Sequence, residues 1–332
     1  MRRLLVVCTI VGLVAVSLAT PRLVAAQDAT PCPPTTEEEN EALARRWTEE
    51  ALNQGNLDVL DEFVAEDVVH DAALYDPLVG RDAVKEALAH LLSGFPGMRF
   101  TVLAVVAEGE LVAVHWRGEG VHGGEYLGVP PTGNSVVFDG INIYRFECGR
   151  IVEGWSEADG VGLREQLEPG APATDTAAAA TVVASPADCP PTTEKENRAV
   201  ALRWYDEVWS QRQYGAVAEL ATGDLLYHWR VGEETSGQDA FQGWLEQLHG
   251  AIPNMRIETV VVIADGDLVA IRWNGTGTHT DALLEVEPTG APLEWAGSAI
   301  LRFACGRVAE VWAETDFAVQ LGSAPERATP EL

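Results

Sequence analysis

Two acids, Asp159 and Asp316, close a phrase that the chain carries twice: FECGRIVEGWSEAD at 146–159 and FACGRVAEVWAETD at 303–316. Trp155, Glu157 and Asp159 fall at alternate positions, as do Trp312, Glu314 and Asp316. Alternate side chains of an extended strand share a face, so each phrase should bring an indole and an acid to one side, with the final Asp at a pocket. A free Asp ionises near ~3.9 and is a poor base at neutral pH. Burial beside an indole raises that value and opens proton transfer to it. Asp159 also directly precedes GVGLREQLE, where an Asp is equally suited to cap a helix, and both roles stay open.

The elements that must hold these acids are themselves repeated. CPPTTEEEN (32–40) returns as CPPTTEKEN (189–197), 157 positions later. At the same offset FPGMRF meets IPNMRI, AEGELVAVHW meets ADGDLVAIRW, and PTG and CGR meet themselves. Only VVHDA (68–72) against LYHWR (226–230) reads as slipped by one residue, which aligns His70 with His228. The pattern is a duplicated domain, spanning 27–167 and 189–322. Residues 168–188 between the copies are rich in Ala, Pro and Thr and read as a flexible linker, and 323–332 as a tail.

Residues 1–26 have two Arg at the front, an apolar run from Leu4 to Ala19 and small residues at Ala25 and Ala26. This is the plan of a secretory signal, and the apolar run is short for a permanent membrane anchor, so a secreted or extracytoplasmic protein is expected, without stable membrane insertion. Removing that segment takes away three Arg and no acid, leaving 19 basic against 51 acidic side chains. Such a charge repels nucleic acid and anionic membrane surfaces, and nucleic-acid binding is excluded. The 47% hydrophobic and 22% charged composition is that of a globular protein. Cys32 and Cys148 stand 116 positions apart, and so do Cys189 and Cys305; of the three possible pairings, equal spacing favours one disulfide within each copy.

Within one copy, Thr36 and Glu39 make a capping box that opens a helix, followed by a short helical piece, a strand over VVHDA and a third helix over GRDAVKEALAHLLSGF. Long strands follow over MRFTVLAVVAEG and ELVAVHWRGEGVHG, then a hairpin over 135–159 that turns at Cys148-Gly149, and a last short helix. Helices first and an antiparallel meander afterwards make the class α+β. Strand alternation puts Val112, Val114, Trp116 and His122 on one face, and Ile151, Glu153, Trp155, Glu157 and Asp159 on another. Glycines inside the strands point to a curved sheet. The expected architecture is two tandem cone-shaped α+β barrels, each a curved antiparallel sheet wrapped by its N-terminal helices, with an interior cavity.

This order of elements resembles the SnoaL-like polyketide cyclases, within the cone-shaped superfamily of nuclear transport factor two. The resemblance covers about 32–168 and 189–322. It is carried by the VVHD strand, the Pro before MRFTVLAVVAEGELVAVHWRG, the GVHGGEYLGVPPTG loop, INIYRFECGRIVEGW and the Asp that follows; the second copy holds these more loosely, as THTDALLEVEPTG and LRFACGRVAEVWAETD. The resemblance implies an intramolecular aldol ring closure on a polyketide ester, with Asp159, and by repeat Asp316, as acid/base. It places the family histidines on His70 and His122, and on His228 and His279, and it implies no metal or organic cofactor. Trp47, Trp116, Tyr126 and Trp155 would form the apolar wall, with Trp204, Trp273 and Trp312 as counterparts in the second copy. His122 or Asn142 would hold the developing oxyanion.

Plainer readings stand beside these. His70 can be a core histidine bonded to backbone, and Trp-rich faces are commonly core. His70, His122 and Asp159 could form a two-His-one-carboxylate metal site, although no local spacing favours it. Asp71, Asp139, Asn142 and Tyr144 become Trp229, Ala296, Ala299 and Leu301, so the second interior is the drier one and chemistry is expected in the first. Two functions compete: cyclase-type acid–base chemistry on a small hydrophobic carbonyl compound, and an extracytoplasmic module that binds a small apolar ligand unchanged. The two copies packing as an internal pseudo-dimer is compatible with either.

Overall fold

The computed structural model describes Cys32 and residues 34–72, 75–171, 189–229, 234–284 and 286–322. The expected signal segment, residues 172–188 of the linker and the tail lie outside the described residues. In the first copy the capping box forms as read: Thr36 accepts from the Glu39 amide, the Glu39 carboxylate accepts from the Thr36 amide, and α1 (Glu37–Arg46) begins there. It continues through π-helical turns (Trp47–Leu52) to a short α2 (Leu60–Phe63). Then come β1 (Val64–Ala72), β2 (Leu78–Val79) and α3 (Arg81–Gly94). The meander follows as β3 (Arg99–Glu108), β4 (Leu111–Val121), β5 (Ser135–Glu147) and β6 (Arg150–Ala158), closed by α4 (Gly160–Leu167).

The second copy repeats the plan. Its helices are α5 (Glu194–Arg203), α6 (Gly215–Leu220), α7 (Gln238–Ala251) and α8 (Phe317–Gln320). Its strands are β7 (Ala221–Trp229), β8 (Thr235–Ser236), β9 (Arg256–Asp265), β10 (Leu268–Thr278), β11 (Pro292–Ala304) and β12 (Arg307–Thr315). Each copy is thus a six-stranded sheet with helices, ordered β2-β1-β6-β5-β4-β3 and β8-β7-β12-β11-β10-β9. The meander is antiparallel, and the short early strand joins it in parallel, β1 on β6 and β7 on β12.

One irregularity decides which side chains face inward. Arg145 pairs with Glu153 but Phe146 pairs with Ile151, so Val152 is an extra residue, a bulge three positions past the hairpin turn. Ile151 joins the core of its own copy, but beyond Val152 the alternation reverses. Gly154, Ser156 and Ala158 turn to the interior, and Trp155 and Glu157 to the outer face. The expectation that Ile151, Trp155 and Glu157 share a side is corrected by this single inserted residue. The same bulge recurs in β12, where Arg302 pairs with Glu310 and Phe303 with Val308, and it turns Trp312 outward.

The strand register also corrects the one-residue slip. His70 pairs with Gly154 and Asp71 with Trp155, while Tyr227 pairs with Val311 and His228 with Trp312. The offset of 157 therefore holds through β1 and β7: Tyr227 is the counterpart of His70, and His228 that of Asp71.

Both copies belong to one compact unit that begins at Pro34. Val106, Ala113, Ile141 and Ile143 on the outer face of the first sheet are buried with Ile263, Ala270 and Ile300 of the second. Around this apolar layer lie charged contacts: Arg198 of α5 pairs with Glu108 of β3, and Arg272 of β10 reaches both Glu157 and Asp71. Cys189 and Cys305 are joined by a disulfide, with Cα atoms 5.4 Å apart, and Cys32 and Cys148 are each disulfide-bonded as well. Among the described residues no helix is long and apolar enough to cross a membrane.

Candidate functional site

A cavity of about 100 Å³ opens between the first sheet and its helices. Most of its wall is apolar, from Leu52, Ala72, Val84, Ala87, Leu88 and Leu91 among others, and the aromatic part comes from Trp47, Phe100, Trp116 and Phe138. Few polar groups reach it: His70, Tyr75, Tyr126, Asn142 and Ser156.

β1 and β6 together present the first polar pair. His70 Nε2 lies 2.8 Å from Ser156 Oγ, and the imidazole stacks on Trp47 at 5.8 Å between centroids. Gly154 makes room for it, since a Cβ there would stand 2.4 Å from His70 Nδ1. That Nδ1 is buried without a hydrogen-bond partner. Burial penalises the imidazolium and pulls the His70 pKa down to about 4, so the ring is neutral at neutral pH.

A second network crosses the sheet. Asn142 Nδ2 donates to Tyr144 Oη at 2.6 Å, and Asn142 Oδ1 accepts from Trp116 Nε1 at 3.0 Å. Trp116 can lie flat on the sheet because residue 140 is Gly, where a Cβ would come within 2.2 Å of the indole. A third group sits against α3: Tyr75 Oη is 3.3 Å from Tyr126 Oη and 3.3 Å from His90 Nδ1. Burial raises the pKa of Tyr75, Tyr126 and Tyr144, which keeps all three phenols neutral.

The expected site residues divide accordingly. The cavity brings together Trp47, His70, Trp116, Tyr126 and Asn142, and its lining does not include Asp159. Asp159 Oδ1 accepts from the Gly162 amide at 2.8 Å and caps α4. Asp316 is buried and accepts from the Ala296 amide at 2.8 Å and from Gln320 at 3.3 Å. His122 and His279 are fully buried with Nδ1 against Thr132 and Thr289 in the loops after β4 and β10, so His122 is not brought to the cavity. His228 lies on the outer face between Glu234 and Glu310, stacked on Trp312. Trp155 lies on the same outer side of its own sheet, under Arg272 at 5.8 Å. Trp155 and Trp312 are therefore corrected from pocket wall to the layer between the copies. Among the described residues no group of three or more His, Cys, Asp or Glu is placed to hold a metal, and His70, His122 and Asp159 do not converge.

In the second copy the corresponding interior is filled. At the offset of 157, Leu52, Ala72, Val84 and Ala87 become Trp209, Trp229, Phe241 and Trp244. These rings pack on one another, Trp209 on Trp229 at 5.8 Å and Trp229 on Trp244 at 5.0 Å, with Tyr227 on Phe241 at 4.9 Å. Trp204 stacks on Phe241 and Trp273 packs on Tyr205, both as core. The polar lining goes as well, with Ala299 for Asn142 and Ala313 for Ser156.

Ser156 and Tyr75 are lining residues that the sequence reading missed. Ser156 is hidden by the bulge at Val152. Tyr75 lies between elements, where no periodicity marks it.

Two stretches of the chain, residues 42–167 and 199–322, match the SnoaL-like polyketide cyclase family. The chain belongs to that family. Both SnoaL-like copies are thus covered almost from first helix to last. No curated protein matches the chain. Among solved structures, it is similar to IdmH from Streptomyces antibioticus, at 31% identity over 39% of this chain and 97% of that one, with a TM-score of 0.34. It is also similar to a protein named as a SnoaL-like polyketide cyclase from Jannaschia sp. CCS1, at 25% identity over 40% of this chain and 92% of that one, with a TM-score of 0.38.

Proposed function

We propose that the first copy binds a small, neutral, mainly apolar molecule carrying one hydrogen-bonding group, and that the second copy is its structural partner in an internal pseudo-dimer. The observation that carries this reading is the contrast between the two interiors: one hollow with a few convergent polar groups, the other filled with indole rings. Size limits the ligand. A closed cavity of roughly 150 Å³ holds benzene, so a volume of about 100 Å³ favours a small ligand over a fused polyketide. Neutrality follows from the lining, which among the described residues has no Asp, Glu, Lys or Arg and whose imidazole is uncharged at neutral pH.

Family membership and the His70–Ser156 pair favour a second reading, carbon-acid chemistry on a small carbonyl compound. The His70–Ser156 pair and Asn142 can hydrogen-bond a carbonyl and its enolate oxygen; with its pKa held at about 4 the free imidazole is as weak a base as an ordinary Asp, so proton removal by His70 requires bound substrate to raise it. Asp159, engaged as a helix cap, is then dispensable for the proton transfer. Export through residues 1–26 is part of the proposal, and the disulfides agree with an oxidising destination.

The test is to incubate the purified protein with metabolite extract and identify retained molecules by mass spectrometry. A single-ring carbonyl compound recovered intact from wild type and lost from Asn142→Leu supports binding, and recovery of a converted product supports catalysis. Retention of nothing, or only of large polycyclic compounds, removes the proposal.

A further inference from the structure

We infer that the second copy positions the cavity of the first through Arg272, whose guanidinium ties together from behind the two strands that present His70 and Ser156. This rests on reading the cavity as a binding site. β1 and β6 run side by side, with His70 opposite Gly154 and Ala72 opposite Ser156. On each strand the residue after the polar one points to the outer face: Asp71 after His70, Glu157 after Ser156. Arg272 donates through Nη1 to Glu157 at 2.7 Å and through Nη2 to Asp71 at 2.9 Å. One planar fork therefore spans both strands directly behind the His70–Ser156 contact, and it also lies over the Trp155 ring.

Burial makes this fork rigid. The Arg272 and Glu157 side chains are each only 5% exposed, where charge-assisted bonds are strong and a guanidinium keeps its geometry. The arrangement is one-sided. At the offset of 157 the position of Arg272 is held in the first copy by His115, and that of Asp71 in the second copy by His228, which is bonded to Glu234 and Glu310. The copy with the hollow interior is the copy whose strands receive the fork. Arg272 touches nothing in the cavity; it is a positioning residue that acts through β1 and β6.

The experiment uses the full chain, with NMR of labelled histidine to read the His70 ring and cyclohexanone as a neutral single-ring probe. Arg272→Met is expected to shift the His70 signals and weaken cyclohexanone binding tenfold or more, with Arg272→Lys recovering part of both. A folded Arg272→Met with His70 signals unmoved and affinity within twofold of wild type overturns the inference. Should Arg272→Met not fold, the set Asp71→Asn, Glu157→Gln and Arg272→Met replaces all three ionisable groups together and leaves no buried charge alone. Moved His70 signals in that variant support positioning; unmoved signals, or failure to fold, reduce Arg272 to a structural role and overturn it. If wild type does not bind cyclohexanone, the binding reading fails for this ligand class, while the His70 signals still decide the role of Arg272.

Discussion

His70 faces the bare backbone of Gly154 on the neighbouring parallel strand, its Nδ1 2.4 Å from where a Cβ would be. The close approach is what brings Nε2 to Ser156. Gly154→Ala should therefore push the ring off Ser156, at a cost of about 1–3 kcal/mol for the overpacking. The expected result is a lowered urea midpoint together with shifted His70 NMR signals. A variant with native signals would mean that the ring has room the structure does not give it.

Filling the cavity should reproduce the second interior in the first. Ala72→Trp places an indole where Trp229 stands in the other copy, and loss of small-ring binding with a retained fold is expected by calorimetry and circular dichroism. The reverse change, Trp229→Ala, removes a buried indole and should cost about 3–5 kcal/mol by urea denaturation.

Stability should depend on pH from two directions. His70 is held at about 4 by burial, below its ordinary value of 6.5, so the unfolded chain binds more protons between those values. The stabilisation from burying the neutral ring is complete above pH 6.5 and lost as pH falls to 4, worth ~3 kcal/mol at most. Glu157 has the opposite sign. Burial pushes its carboxyl up to about 8 against the pull of Arg272, so its contribution is full below 4.5 and lost as pH rises through 8. Urea midpoints measured from pH 4 to 9 should flatten on the acid side in His70→Gln and on the basic side in Glu157→Gln.

Asp159 separates the two functional readings. As a cap of α4 it is replaceable by Asn, and Asp159→Ala should lose about 1 kcal/mol. If Asp159→Asn binds ligand and keeps its stability but loses a measurable turnover, the acid has a chemical role after all.

The disulfide between Cys189 and Cys305 closes a loop with a sequence separation of 116. Replacing both with Ser should cost about 2–5 kcal/mol, read as a lower thermal midpoint of the second copy.

Much of this was legible in the chain itself. The capping boxes, the meander and the doubled plan follow from Thr-x-x-Glu spacing, alternation and self-similarity, and five of the cavity residues were found from strand faces and the family motifs. One failure came from the period-two rule carried across a bulge. A single extra residue at Val152 exchanges the faces of Trp155 and Ser156, and no residue type announces it. The pairing of His70 with His228 failed differently: matching residue identities outweighed strand register, which tertiary pairing alone fixes. That Trp209, Trp229 and Trp244 converge on one volume was invisible because they lie on three separate elements.

Fusing an emptied cone to a filled one has a consequence for how ligand is taken up. Two identical cones would offer paired vacancies, able to communicate across their packed sheets and to saturate at two equivalents. Here occupancy should end at one equivalent per polypeptide along a simple hyperbola, whatever the chain concentration, because the neighbour that could have made binding cooperative has a solid interior.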